Sequence, residues 1–74
     1  MKREKAIEQT VIGALAKRRK ELGYSYEKVS ELTGLHRTSI SLIERGKTQP
    51  TLVVCLKIAE ALGMKLEDLL RKAR

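Results

Sequence analysis

The sequence has few of the residues that stabilise small domains through covalent or metal cross-links. Its 74 residues include one Cys, one His, one Pro and no Phe or Trp. A single Cys cannot form an internal disulfide, and Cys55 with His36 cannot complete a structural zinc site, which needs four ligands. The chain must therefore fold on a core of aliphatic side chains, and its length predicts one domain over residues 1–74.

Long apolar segments are also missing. No apolar run approaches the roughly 18 residues that cross a bilayer. The first residues, MKREKAIEQT, are charged where a secretory signal needs an apolar segment. Together with the single Cys, these features lead us to expect a cytoplasmic protein without a membrane partner.

The chain carries no recognisable catalytic pattern. No nucleophile has a base at a usable spacing, no Gly-rich phosphate loop precedes a helix, and the single His has only scattered carboxylates to work with. We therefore expect a protein that is not an enzyme, with no cofactor, no bound metal and no evident small-molecule effector.

Charge is the feature that the sequence has in excess. Sixteen Lys and Arg against nine Asp and Glu leave a net charge of +7 at pH 7, which favours a polyanionic partner such as nucleic acid. The excess is uneven, since residues 1–20 hold seven basic and two acidic groups whereas residues 21–47 hold four of each. Charge alone therefore does not locate a binding surface.

Apolar periodicity and helix-ending residues predict five helices and no strands. The first runs from about residue 6 to residue 22, where Gly23 ends it. The second is capped by Ser25 and ends at Gly34. Glu27 lies in its first turn, where a negative charge suits the helix dipole.

The remaining helices follow the same signals. The third starts at Arg37 and ends at Gly46. Pro50 interrupts the chain before a fourth helix, Leu52 to Leu62, and a last helix runs from Leu66 to about Lys72. The residues expected on the stripes that face the core are Ile7, Val11, Ile12, Leu15 and Leu22 in the first helix, Ile40 and Ile43 in the third, Leu52, Cys55, Ile58, Ala59 and Leu62 in the fourth, and Leu66 and Leu69 in the last. The predicted fold is all-α, a compact five-helix domain.

Two of these helices meet with the spacing of a helix-turn-helix, over residues 25–45. The turn contains TGLH, residues 33–36, and needs a residue free to adopt a positive φ at its corner, which Gly34 provides. Burial of Ile40 would hold the opposite face of the third helix outward. That face consists of Arg37, Thr38, Ser41 and Leu42. In a major groove, Arg can bind guanine through two hydrogen bonds, hydroxyls can form hydrogen bonds with several bases, and an aliphatic group can contact the thymine methyl.

Two stretches of the chain carry a family resemblance, LGYSYEKVSELTGLHRTSISLIERGKTQPTL and the following LKIAEALGMKLEDLL. Over roughly residues 9–70 the chain resembles the Cro and phage-repressor type of helix-turn-helix transcriptional regulators, the XRE-like family. Its GLHRT segment is similar to the small controller proteins of restriction-modification systems. The chain departs from the family pattern at Tyr26, where Gln is frequent, and at Lys65, where a capping Ser or Thr is usual. Ser39 replaces the Tyr common in the controller proteins.

The resemblance implies a lambda-repressor-like DNA-binding domain and roles for specific residues. The base-reading residues would be Arg37, Thr38, Ser41 and Leu42, and the phosphate contacts would come from Ser25 with its neighbouring amides, Tyr26, Lys47 and Thr48. Arg19 and Glu44 would form an ion pair that fixes the third helix against the first, although the net stabilisation from such a pair can be near zero.

The same resemblance implies a homodimer on a palindromic site in double-stranded DNA. We expect the dimer to form through residues 52–72, because Val53 and Leu56 stand beside the core stripe of the fourth helix. The candidate interface residues are Val53, Leu56, Leu66 and Leu70. Ordinary exposed apolar residues are the alternative explanation.

Three functions are compatible with these patterns. The first is a sequence-specific DNA-binding regulator, such as a repressor, that reads the major groove with the helix starting at Arg37. The second is the antitoxin component of a toxin-antitoxin pair, in which the same fold binds an operator and a toxin. The third is a protein-interaction module that has lost DNA binding, which the neutral charge of residues 21–47 favours.

Overall fold

The computed structural model describes the backbone of residues 2–72 and the side chains of residues 6–65, 67–69 and 71. It contains five helices: α1 (Lys2–Leu22), α2 (Tyr26–Thr33), α3 (Arg37–Glu44), α4 (Leu52–Ala61) and α5 (Leu66–Lys72). No strand occurs within residues 2–72, so the all-α, five-helix prediction is confirmed. In this part of the chain no helix is both long and apolar enough to span a membrane.

The helix boundaries follow local sequence signals. Helix α1 starts four residues before the predicted position because Lys, Arg and Glu are good helix formers but leave no apolar periodicity. The Ser25 side chain caps α2 by accepting a hydrogen bond from the Lys28 amide at 3.0 Å. At the start of α5, Lys65 has no capping oxygen, and its amide donates instead to the Asp68 carboxylate at 3.1 Å.

One aliphatic core joins all five helices. Among the described residues no polar or charged side chain is buried. The buried residues are Ile12, Ala14 and Leu15 from α1, Val29 from α2, Ile40 and Ile43 from α3, Ile58 and Ala59 from α4, Leu62 at the end of α4, and Leu69 from α5. Helix α1 packs against α3, α4 and α5, while α2 packs against α3 and α4. The domain is thus a closed bundle around α1 and α2.

Two residues expected on the core stripes lie at the surface. Leu52 is 69% exposed and Ile7 is 45% exposed, so the prediction that both face the core is wrong. Leu52 is the first residue of α4 and Ile7 lies near the start of α1. Periodicity places a residue on one face of its helix but does not tell how far the neighbouring helices extend along that face.

The corner between α2 and α3 has the geometry that the sequence predicts. Gly34 has a φ of 78°, and its amide donates to the Ser30 carbonyl at 2.8 Å. The Thr33 hydroxyl donates to the Val29 carbonyl at 2.7 Å and accepts from the Leu35 amide at 3.1 Å. Because no atom lies within 4 Å of a Cβ added at Gly34, the requirement for glycine there is the positive φ and not space.

A hydrogen-bonded ion pair connects α3 to α1. Arg19 donates to both carboxylate oxygens of Glu44, at 2.6 and 2.9 Å, and to the Tyr24 carbonyl at 2.8 Å. The two side chains are only 13% and 11% exposed. The hydrogen bond to Glu44 is the main cause that raises the pKa of Arg19, so the guanidinium stays charged. This pair, which the family resemblance implies, links the last residue of α3 to the last turn of α1.

We predict that Glu44→Gln lowers the free energy of unfolding by about 2 kcal/mol, because a charged Arg19 would keep only a neutral partner in a poorly hydrated position. Urea denaturation followed by circular dichroism measures the loss. Glu21→Gln is the matched control, since Glu21 pairs with Arg18 at 3.8 Å on the open surface. Glu21→Gln should lower the free energy of unfolding by about 0.5 kcal/mol or less. Equal losses in the two variants would contradict the structural role of the Glu44 pair.

Candidate nucleic-acid interface

The exposed side of α3 is set by its buried side. Ile40 and Ile43 are 1% and 6% exposed and hold the helix against the core. Arg37 and Thr38 are exposed, whereas Ser41 and Leu42 are half-buried. Of the four side chains expected to read bases, the two in the first turn of α3 are therefore the more accessible.

The start of α3 is held by two polar contacts. The His36 ring caps the helix by accepting a hydrogen bond from the Thr38 amide through Nδ1, at 3.1 Å. The Arg37 guanidinium donates through Nη1 to Oε1 of Glu27 in the first turn of α2. The Arg37 and Glu27 side chains are 62% and 67% exposed, so this ion pair lies in the solvent-facing cleft between the two helices. From its position in the sequence, Glu27 is expected only to favour the dipole of α2.

The side chains expected to bind phosphate surround this face. Ser25, Lys47 and Thr48 are exposed. The Lys47 amide donates to the Leu42 carbonyl at 2.8 Å, which fixes the backbone that follows α3 and leaves the side chain free to reach outward. The Ser25 oxygen caps α2, yet its hydroxyl proton remains available to a phosphate oxygen.

Tyr26 is oriented inward. Its hydroxyl is 3.3 Å from Oε1 of Glu44, to which it donates, and the Arg19 guanidinium lies 4.4 Å from the centre of its ring. A phenol has one proton, so in this arrangement Tyr26 cannot also donate to a phosphate. The side chain belongs to the network that fixes α3 to α1.

Arg45 is a further functional candidate, outside the set predicted from the sequence. It is exposed and caps the end of α3. Residues three and four apart share a helix face, so Arg45 follows Ser41 and Leu42 on the outward side. The four-residue spacing from Ser41 to Arg45 is a sequence signal that identifies Arg45 as a member of this face.

An apolar surface lies at the start of α4. Val53 is 61% exposed beside the exposed Leu52, whereas Leu56 is half-buried. A small cavity of about 160 Å³ is lined by Glu8, Val11, Ile12, Pro50, Leu52, Cys55, Leu56 and Leu69. The predicted interface residues Leu66 and Leu70 lie outside the described side chains.

The Cys55 thiol in this cavity contributes to apolar packing. Burial, reinforced by the charge of Glu8, raises the pKa of the Cys55 thiol. At neutral pH the thiol is therefore protonated and acts as a small apolar group. No group of three or more metal-ligating side chains occurs within the described ranges.

Comparison with known proteins supports the structural assignment. The helix-turn-helix family model matches residues 15–69. The HTH-type transcriptional regulator YgzD of Bacillus subtilis is 44% identical over 50 residues, which cover 68% of this chain and 76% of that protein. No solved structure gives a significant match.

Two further relatives, from distant organisms, carry the same description. An HTH-type transcriptional regulator of Methanothermobacter thermautotrophicus is 40% identical over 52 residues, covering 69% of this chain and 75% of the relative. Another from Haemophilus influenzae is 34% identical over 64 residues, covering 86% of this chain and 65% of the relative. With the five-helix fold and the corner at Gly34, these matches show that the chain belongs to the Cro-like helix-turn-helix family of DNA-binding transcriptional regulators and is not an enzyme.

Proposed function

We propose that the protein is a sequence-specific regulator that binds a palindromic DNA operator as a homodimer and reads the major groove with α3. The observation that carries this proposal is the orientation of α3, whose Ile40 and Ile43 are buried while Arg37 and Thr38 face solvent in its first turn. In helix-turn-helix proteins the first turn of the second helix contacts base edges. Arg37 would bind a guanine, and Thr38 would contact its neighbours together with Ser41 and Leu42.

Phosphate contacts would set the position of α3 in the groove. Ser25 and the free amides at the start of α2 form one contact, since unpaired N–H groups at a helix start attract anions. Lys47 and Thr48 form another in the loop after α3. Anchors before α2 and after α3 would fix the tilt of α3 toward the bases. We assign Tyr26 to the support of α3, because its hydroxyl donates to Glu44.

The dimer would form through α4 and α5. Exposed Val53 and Leu52 lie next to each other at the start of α4, and water-exposed aliphatic pairs favour a covering partner. A symmetric pair would set the two copies of α3 about one DNA turn apart, roughly 34 Å. Leu56 supports the interface from its half-buried position, with Leu66 and Leu70 as further candidates on α5. Occupation of a promoter by such a dimer would repress transcription.

A protein-interaction module without DNA binding is the second candidate function. The equal numbers of acidic and basic groups in residues 21–47 favour it, because the α2–α3 region lacks the net positive charge common in DNA-binding surfaces. Titration of duplex DNA at several salt concentrations separates the two functions. DNA binding through phosphates must weaken steeply as salt rises, since each contact releases condensed cations.

Selection of bound duplexes from a random DNA pool tests the leading proposal directly. We expect one enriched sequence with two related half-sites in opposite orientation. A pool that stays random after repeated selection would reject sequence-specific reading. An enriched single half-site would retain base reading and reject the symmetric dimer.

We predict that Arg37→Ala weakens binding to the selected duplex by about 1 to 3 kcal/mol and relaxes the base preference at one position in each half-site, because the two hydrogen bonds to guanine are lost. Fluorescence anisotropy with the selected duplex and single-base variants measures both effects. Ser39→Ala is the control, since Ser39 is exposed on α3 but outside the proposed reading set. Equal losses on selected and random DNA for Arg37→Ala would remove Arg37 from base reading.

Lys47→Ala should act differently from a base-reading substitution. We expect it to weaken binding to selected and random duplexes alike and to reduce the slope of log K against log salt by about 1, because one phosphate contact is lost. Anisotropy titrations over a salt series measure the slope. Lys57→Ala removes the same charge from the exposed side of α4 and should leave the slope unchanged. An unchanged slope for Lys47→Ala would reject the phosphate contact.

The proposed interface predicts that Val53→Glu yields a folded monomer, because a buried unpaired carboxylate opposes association. Sedimentation velocity measures the state, and circular dichroism checks the fold. Leu32→Glu is the matched control, since Leu32 is 48% exposed on α2, which is not one of the proposed interface helices. A parent protein that is already monomeric at high concentration would show that the interface is wrong.

A further inference from the structure

The ion pair between Glu27 and Arg37 joins the first turns of the two helices of the helix-turn-helix. Nη1 of Arg37 donates to Oε1 of Glu27, across ten positions of the chain. Both side chains are mostly exposed, and they line one cleft with Ser30, Glu31 and His36. The Arg37 guanidinium, which is proposed to contact DNA, is therefore hydrogen-bonded to the Glu27 carboxylate of α2 in the DNA-free protein.

The helix dipole does not by itself account for this contact. A carboxylate in the first turn of α2 is favourable wherever it points, because the stabilisation comes from the nearby amides. Glu27 instead lies in hydrogen-bond contact with Arg37. The direction of the side chain is thus set by its partner on α3.

The contact leaves most of the guanidinium available. Among the described residues, the Arg37 side chain forms its hydrogen bond through Nη1. A guanidinium has five N–H groups in a planar fork, so the edge formed by Nε and Nη2 remains free. Guanine O6 and N7 accept two parallel hydrogen bonds from such an edge. Arg37 can therefore keep Glu27 and bind a base at the same time.

We propose that Glu27 is a positioning residue for base recognition: it holds the Arg37 guanidinium so that its free edge meets a guanine. This inference rests on the proposed reading of bases by Arg37. The carboxylate also repels DNA phosphates, and that repulsion is the same for every sequence. Glu27 thus lowers affinity for all DNA while it increases the preference for the base that Arg37 reads.

The expected size of the effect is modest. Exposed ion pairs are weak because both groups remain hydrated and flexible, which corresponds to roughly a 2- to 5-fold change in an equilibrium constant. Orientation of Arg37 should change selectivity by that factor. Complete loss of selectivity is expected only when Arg37 itself is removed.

A double-mutant cycle tests the proposal at the base pair whose preference Arg37→Ala relaxes. The measured quantity is the ratio of dissociation constants for the selected duplex and a duplex in which that guanine is replaced. Glu27→Gln should reduce this selectivity ratio about 2- to 5-fold and raise affinity for random DNA. In the Arg37→Ala background, Glu27→Gln should leave the ratio unchanged.

Glu31→Gln is the matched control, because it removes the same charge from the same helix one turn further on. Glu31 is exposed in the same cleft, and the ion pairs of the described residues do not include it. It should raise affinity for random DNA without changing the selectivity ratio. Thermal unfolding of each variant separates binding effects from weakening of α2.

Three outcomes would overturn the proposal. An unchanged ratio in Glu27→Gln would show that the carboxylate acts only through its charge. A higher ratio would show that Glu27 holds Arg37 away from the base. An equal decrease with and without Arg37 would show that Glu27 contacts the base independently.

The same measurements distinguish a failure of base reading by Arg37 from a failure of the positioning role of Glu27. If Arg37→Ala relaxes no base pair, base reading by Arg37 fails and the role of Glu27 fails with it. If Arg37→Ala relaxes a position and Glu27→Gln does not, only the role of Glu27 fails. In DNA-free protein, the Nε–Hε resonance of Arg37 should shift in Glu27→Gln and not in Glu31→Gln, and an unmoved resonance would reject the contact itself.

Discussion

The burial of Val29 and Ile40 on either side of the Gly34 corner is the constraint on which the rest of the structure depends. These side chains are 0% and 1% exposed and come from adjacent helices. Their contact with the shared core is possible only because the chain reverses direction sharply at a positive φ. Because the apolar side of α3 is buried in the core, the polar side chains in its first turn face solvent.

The ion pair of Arg19 and Glu44 completes this constraint at the other end of α3. The apolar core resists separation of α3 from the domain, whereas two hydrogen bonds of fixed direction resist rotation. Tyr26 adds its hydroxyl to Glu44 and its ring to Arg19. Tyr26 thereby supports α3, and the proposed phosphate contacts are left to the start of α2 and the loop after α3.

The charge distribution fits a regulator whose selectivity depends on geometry more than on net attraction. The positive excess lies mainly in residues 1–20, while the α2–α3 region is neutral overall. A neutral surface gains little from unspecific attraction to phosphates. If α3 reads bases as proposed, acidic groups such as Glu27 would reduce binding to every sequence while orienting the side chains that recognise bases.

Local chemistry made much of the architecture predictable from the sequence. The cap at Ser25 and the corner at Gly34 are specified by residues within a few positions of each helix end. The stripe containing Ile40 and Ile43 likewise predicts which side of α3 is outward. The pairing of Arg19 with Glu44 was implied by family resemblance, since nothing local relates two residues so far apart.

The sequence by itself determined the five helices, the turn and the polar character of the outward side of α3, because these follow from backbone preferences and helical periodicity. Tertiary structure alone decided that Leu52 is exposed, that the Tyr26 hydroxyl points to Glu44 and that Glu27 meets Arg37. Those features depend on where one helix ends relative to another and on which partner a flexible side chain reaches. Such distances are set only when all five helices are packed around one core.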